Sequence, residues 1–160
     1  GYLPQETSIF RKLTVKQNIM AILEILPISS SEREERANML LDELGIRHLS
    51  DQKAIVLSGG EKRRLEISRS LATSPSFILL DEPFAGIDPL AVNDIKNIIV
   101  HLKNRGIGIL ISDHNVRETL GVCDEAYILC DGQVIEAGPP AKIASSKTAC
   151  RLYLGEEFKL

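Results

Sequence analysis

Four consecutive apolar residues, Phe77-Ile78-Leu79-Leu80, run straight into Asp81-Glu82-Pro83, and this junction constrains the fold more than any other stretch of the chain. A short apolar run bounded by turn signals is what a strand covered on both faces requires, and such strands belong to parallel sheets flanked by helices. A helical stretch with Ile95, Ile98, Ile99 and Leu102 on one face follows, stopped near Gly106, and then a second buried run, Ile107 to Ile111. Strand, helix, strand in this order predicts an α/β layered fold with parallel pairing. In open parallel sheets ligands bind beyond the carboxyl ends of the strands. Two carboxylates there can divide the work, Asp81 supporting Mg²⁺ through water and Glu82 polarising an attacking water. Strand-end acids also simply cap the next turn, and the run alone leaves both readings open.

Ahead of Pro75 the period is helical. Thr14-Val15-Lys16-Gln17 reads as a capping box that opens a helix with Ile19, Ile22, Leu23 and Leu26 in register up to Pro27. Ser31-Glu32-Arg33-Glu34 reads as a second box, with Ala37, Leu40, Leu41 and Leu44 as its stripe and Gly45 as its stop. Ser58-Gly59-Gly60-Glu61 starts a third helix whose inward side is Leu65, Ser68, Leu71 and Ala72, with Ile67 at the margin. Beyond the second buried run, Val116 to Cys123 is predicted helical, and Ala126 to Cys130 and Gln133 to Ala137 form a hairpin turned at Asp131-Gly132. The expected organisation is a loop over 1–12, an α-helical subdomain over 13–74, and the second half of an α/β sheet domain over 75–160.

Composition excludes several classes. At 160 residues the chain holds one domain or a domain and a half, and 44% apolar with 26% charged residues is a globular balance rather than a disordered one. No apolar run reaches the roughly 18 residues of a membrane helix, so a soluble protein is expected. A net charge of −3, with the basic residues scattered, argues against a nucleic-acid partner. Cys123, Cys130 and Cys150 are odd in number and form no C-x-x-C pair, which points to a reducing compartment and small buried side chains rather than disulfides or zinc.

Three further segments carry chemistry. Leu57-Ser58-Gly59-Gly60-Glu61 puts two glycines at a helix start, where free N–H groups and the helix dipole attract anions. In an ordinary capped helix those glycines would each cost up to about 1 kcal/mol relative to alanine, which tilts the reading towards an anion site. Ser112-Asp113-His114-Asn115 follows the second buried run, and His114 there could contact a terminal phosphate and orient water. Gly86-Ile87-Asp88-Pro89 is a turn leading into a helix with proline at its start.

Gln5, Leu57-Ser58-Gly59-Gly60-Glu61, Leu79-Leu80-Asp81-Glu82-Pro83, Asp88 and Asp113-His114, in this order and spacing, resemble the motif set of the ATP-binding-cassette ATPases. The resemblance covers essentially the whole chain. It implies a P-loop NTPase sheet with an inserted α-helical subdomain, ATP as substrate and Mg²⁺ as cofactor. Gln5 resembles the loop glutamine that touches Mg²⁺ or water and couples nucleotide to the membrane subunits. Ser58, Gly59, Gly60 and Glu61 resemble the signature that binds ATP held by the opposite subunit. Asp81 is similar to the Mg²⁺-supporting aspartate, Glu82 to the catalytic base, Asp88 to a dimer-contact aspartate and His114 to the switch histidine. The family implies a homodimer, transmembrane permease partners and a cytoplasmic place on the inner face of the inner membrane.

No G-x-x-x-x-G-K-[ST] occurs in these residues, so the loop and lysine that cradle phosphates are missing and the chain is expected to be part of a longer ATPase, inactive by itself. Gln5 and Ser58 are 53 positions apart (58 − 5), room for a small helical subdomain but not for a long coiled coil. Within the family, three stretches resemble the ATPases of lipopolysaccharide exporters: Gly1-Tyr2-Leu3-Pro4-Gln5 with Ser8-Ile9-Phe10-Arg11, Phe84 to Pro89 with Ser112 to Thr119, and the ending Tyr153 to Leu160. The middle stretch is equally similar to branched-chain amino-acid importers. A non-catalytic binding module is the reading from a different class, and the intact Glu82 and His114 speak against it. Phe10 and Arg11 are expected to line the groove that receives the membrane subunits.

Overall fold

The computed structural model describes residues 1–151. The expected ending at Tyr153 to Leu160 lies outside the described residues. The chain divides into two compact units, Gly1–Ser112 and a second beginning at Asp113.

The first unit is built around three parallel strands, β1 (Tyr2–Leu3), β2 (Phe77–Asp81) and β3 (Gly108–Ser112), lying side by side in that order. Leu3 pairs with Leu80, Leu79 with Leu110, and Asp81 with Ser112. Between β1 and β2 come the helices α1 (Val15–Leu23), α2 (Ser30–Glu43) and α3 (Gly59–Leu71), and α4 (Pro89–Asn104) crosses from β2 to β3. The parallel crossover follows from the pattern of apolar residues; among the described residues the strands are covered on one face, where their composition predicts cover on both. Ile78 and Leu80 are buried, whereas Phe77, Leu79 and Leu110 are exposed, Phe77 at 70%. Leu3 lies on the buried face, beside Leu80, where α3 meets β1 and α4 meets β3. Successive side chains of a strand point to opposite faces, so one packed helical layer accounts for half of each run.

Each helix start is chemically specified. Thr14 and Gln17 form the capping box of α1, and Ser58 and Glu61 that of α3, as the sequence indicates. The second box is shifted. Ser29, not Ser31, caps α2, and its partner is Glu32, whose carboxylate accepts the Ser29 N–H at 2.8 Å. Both frames satisfy the same S-x-x-E pattern; the earlier one frees Glu34 to pair with Lys16. Gly45, at φ +65°, ends α2 in the left-handed conformation that glycine takes without strain.

The helix α3 packs against α1, α2, α4 and β1 and is buried far around its circumference. Ile67, expected at the margin, is fully buried, as are Leu65 and Ser68. The buried side also takes in Arg63 and Glu66. Asn18 on α1 is likewise fully buried: its side-chain oxygen accepts the Phe10 N–H at 2.8 Å and its amide donates to the Phe10 and Thr14 carbonyls.

The second unit contains α5 (Val116–Leu120), an antiparallel hairpin of β4 (Ala126–Cys130) and β5 (Gln133–Gly138), and two short helices, α6 (Pro140–Ser145) and α7 (Lys147–Ala149). Helix α5 is shorter than the sequence suggests. Asp131 and Gly132 both have positive φ, +49° and +75°, the pair a two-residue hairpin with right-handed strand twist requires. Leu120, Ile128, Ile143 and Ala149 form its core. The three cysteines form no disulfide and are only partly buried.

Candidate functional site

Gln5 follows β1, Asp81 ends β2 and Glu82 follows it, so the parallel pairing brings all three to one carboxyl edge. There Gln5 Nε2 donates to Glu82 Oε2 at 2.8 Å. The Ser112 hydroxyl, at the end of β3, donates to Asp81 Oδ1. The turn after β2 is tight: Glu82 has φ +46°, its N–H donates to the Ser112 carbonyl at 2.7 Å, and its carbonyl accepts from the Ala85 N–H at 3.1 Å. A residue other than glycine in this conformation stores about 1–3 kcal/mol of strain, and such strain concentrates where a side chain must be aimed.

The signature segment is a helix N-terminus in the literal sense. The Ser58 hydroxyl oxygen accepts the Glu61 N–H at 3.4 Å and Glu61 Oε2 accepts the Ser58 N–H at 2.7 Å. That backbone N–H holds the Glu61 carboxyl below its ordinary value, against the opposing effect of burial. Glu61 is thus committed to the cap, its carboxylate accepting from both the backbone N–H and the hydroxyl of Ser58. The glycines have a further reason to be glycine. A Cβ on Gly60 would stand 2.7 Å from the Ala91 Cβ, and one on Gly59 would stand 3.3 Å from the Gly86 carbonyl. Contact with the turn before α4 and with α4 itself therefore contributes to the glycine requirement that the sequence suggested was for an anion alone.

Asp88 is the N-cap of α4, its Oδ1 accepting from the Ala91 N–H at 2.9 Å, and it is exposed. Asp113 and His114 open the second unit. Asp113 Oδ1 accepts the Asn115 N–H at 2.7 Å, and the His114 ring is 70% exposed with Nδ1 3.9 Å from Asp113 Oδ1.

Reading the sequence did not single out Arg63 and Glu66. Arg63 donates to four oxygens: the Glu82 carbonyl at 2.6 Å, the Pro4 carbonyl at 3.0 Å, the Pro83 carbonyl at 3.2 Å and Glu66 Oε2 at 3.2 Å. Glu66 Oε1 accepts the Ser8 N–H at 2.8 Å. Burial pushes the Glu66 carboxyl up, opposed by the Ser8 N–H and by Arg63. Arg69 donates to the Ser8 carbonyl at 2.6 Å and lies 4.6 Å over the Phe10 ring. Charged residues three apart in a helix usually signal a solvated face, so periodicity gave no hint; a buried face is visible only once α3 has neighbours on every side.

Among the described residues no cluster of three or more His, Cys, Asp or Glu side chains could enclose a metal ion. The donor set at the sheet edge, an amide and a carboxylate, suits Mg²⁺, which keeps several waters and takes few protein ligands when phosphate supplies the rest.

Acidic and amide side chains at the ends of parallel strands, together with a glycine-rich helix start, form the candidate site. The ABC transporter family model matches residues 1–85, and the chain belongs to that family. It is 56% identical over its whole length to the lipopolysaccharide export system ATP-binding protein LptB of Haemophilus influenzae, of which it covers 67%. Among solved structures it is similar to CbiO1 of Clostridium perfringens, part of the ABC transporter complex CbiONQ (TM-score 0.85, 30% identity, 94% of this chain and 61% of that one). It is also similar to the ATP-binding cassette MJ0796 in a dimeric post-hydrolysis state bound to ADP and phosphate (TM-score 0.75, 25% identity, 88% of this chain and 62% of that one). The α/β cassette fold, with ATP hydrolysis as the family's activity, is thereby shown. Among the described residues no helix is long and apolar enough to cross a membrane.

Proposed function

We propose that the protein is the ATP-hydrolysing motor subunit of a lipopolysaccharide exporter, attached to transmembrane permease subunits at the inner face of the inner membrane and working as a homodimer. The observation that carries the reading is the Gln5–Glu82 hydrogen bond at the edge of the parallel sheet, in a chain whose whole length aligns with 67% of a lipopolysaccharide-export ATP-binding protein. Glu82 accepts a proton from the water that attacks the γ-phosphate. Gln5 fixes the direction of that carboxylate. Ser58 and the N–H groups beside Gly59 and Gly60 receive the phosphate of ATP held by the opposite subunit, with Glu61 keeping the cap in shape. Asp88 stands at the dimer contact and His114 at the terminal phosphate. Gln5, and Asp81 through water, would hold Mg²⁺, which when bound would neutralise charge on the phosphates. Phosphoryl transfer asks for positioning and charge more than covalent chemistry, and these residues supply both.

The test uses the full-length native protein. Phosphate release by wild type is compared with that of Glu82→Gln, which preserves shape and removes the base. A loss of about 10²-fold or more with ATP binding retained is expected; turnover within threefold of wild type overturns the assignment of Glu82. Reconstitution with the permease subunits then distinguishes lipopolysaccharide extraction from amino-acid uptake.

A further inference from the structure

The loop that carries Gln5 has no secondary structure of its own. From Pro4 to Ser8 it is irregular backbone, exposed at Gln5, and it is held at both ends by one helix. Arg63 takes the Pro4 carbonyl, Glu66 takes the Ser8 N–H and Arg69 takes the Ser8 carbonyl. The same Arg63 also takes the carbonyls of Glu82 and Pro83. Arg63 and Glu66 are three residues apart and pair with each other at 3.2 Å, both almost wholly buried.

On the ATPase reading given above, we propose that Glu66 is a positioning residue for hydrolysis. With Arg63 it suspends the Gln5 loop and the Glu82 turn from a single frame, so that the Gln5–Glu82 contact is set by α3, the helix whose N-terminus is Ser58-Gly59-Gly60. A tilt of α3 when its glycine-rich end engages phosphate is passed through two buried side chains to the backbone on either side of Gln5 and at Glu82. The residue must be a carboxylate because it meets two N–H donors with two oxygens. A glutamine there has one acceptor oxygen and turns an NH₂ group towards either Ser8 or Arg63, so one side of the frame lets go.

The experiment is Glu66→Gln in the full-length protein, alone and combined with Gln5→Ala. The single variant lowers kcat about tenfold and leaves the KM for ATP within about twofold, since the loss is of transition-state geometry rather than of substrate binding. In the Gln5→Ala background the same change costs less than about twofold, because its target is already gone. Independently of activity, amide exchange over residues 5–8 accelerates about tenfold while that of α3 is unchanged. Multiplicative losses in the double variant, or unchanged exchange over 5–8, overturn the proposal. Wild-type protein without turnover above the Glu82→Gln level removes the ATPase reading and with it the catalytic role of Glu66; the exchange measurement then decides separately whether Glu66 holds the loop.

Discussion

Gln5 and Glu82, 77 residues apart in the chain, meet through a 2.8 Å hydrogen bond from side-chain amide to carboxylate. The sheet register makes the meeting unavoidable: Leu3 pairs with Leu80, and Gln5 and Glu82 each lie two positions beyond that pair. Gln5 is exposed and supports no core. Gln5→Ala is therefore expected to lower ATP turnover of the full-length protein about ten- to hundredfold while unfolding stability changes by no more than about 0.5 kcal/mol. Phosphate release and a denaturant titration check the two halves of that statement.

Gly60 lies where a Cβ would touch Ala91 at 2.7 Å. Alanine at a helical position gains up to about 1 kcal/mol over glycine, but overpacking costs about 1–3 kcal/mol, so Gly60→Ala is expected to destabilise. Adding Ala91→Gly should restore stability. Turnover should stay low in the double variant if the backbone at Gly60 also approaches phosphate; full recovery of turnover would make the glycine a packing residue alone.

Two buried or capping carboxylates have opposite pH signatures. Glu61 is held below its usual value of 4.5, so its contribution is present above that pH and is lost as the pH falls through its folded value. Glu66 is raised above 4.5, so the folded state binds the extra proton and stability declines as the pH rises from about 4.5 through its folded value. Denaturant midpoints of wild type and Glu66→Gln against pH should converge or diverge in that window; parallel curves would contradict the raised carboxyl.

Phe10 is 45% exposed although its backbone is fixed on both sides by Asn18 and its ring is covered by Arg69. An aromatic ring held rigidly yet left half in water suits a docking contact. Phe10→Ala is expected to weaken assembly with the permease subunits and leave ATP binding unchanged, measured by co-purification and nucleotide titration. Undiminished assembly would exclude Phe10 from the interface.

What could be read from the sequence was local chemistry. Thr14 with Gln17, Ser58 with Glu61, and Asp131-Gly132 announce their structures because cap and turn residues act within four positions. The same locality misplaced the start of α2, where two serine–glutamate frames overlap and the earlier one, Ser29 with Glu32, forms the cap. The strand-end position of Asp81 and Glu82 followed from the apolar run before them, but the burial of that run did not, since Phe77 and Leu79 face away from the helices. Arg63 and Glu66 escaped notice for a related reason: their roles depend on backbone carbonyls of Pro4, Glu82 and Pro83, which no residue type encodes.

The left-handed backbone at Glu82 has an effect on how the protein can be engineered. Glycine is the residue that relaxes such a site, so, on the role proposed for Glu82, Glu82→Gly is expected to disable the motor while relaxing the fold. A library selected for heat resistance alone will enrich that change, and its most durable members will be the ones that have stopped turning over. Any thermostability campaign on this protein has to select for work done, because durability and output pull on the same residue in opposite directions.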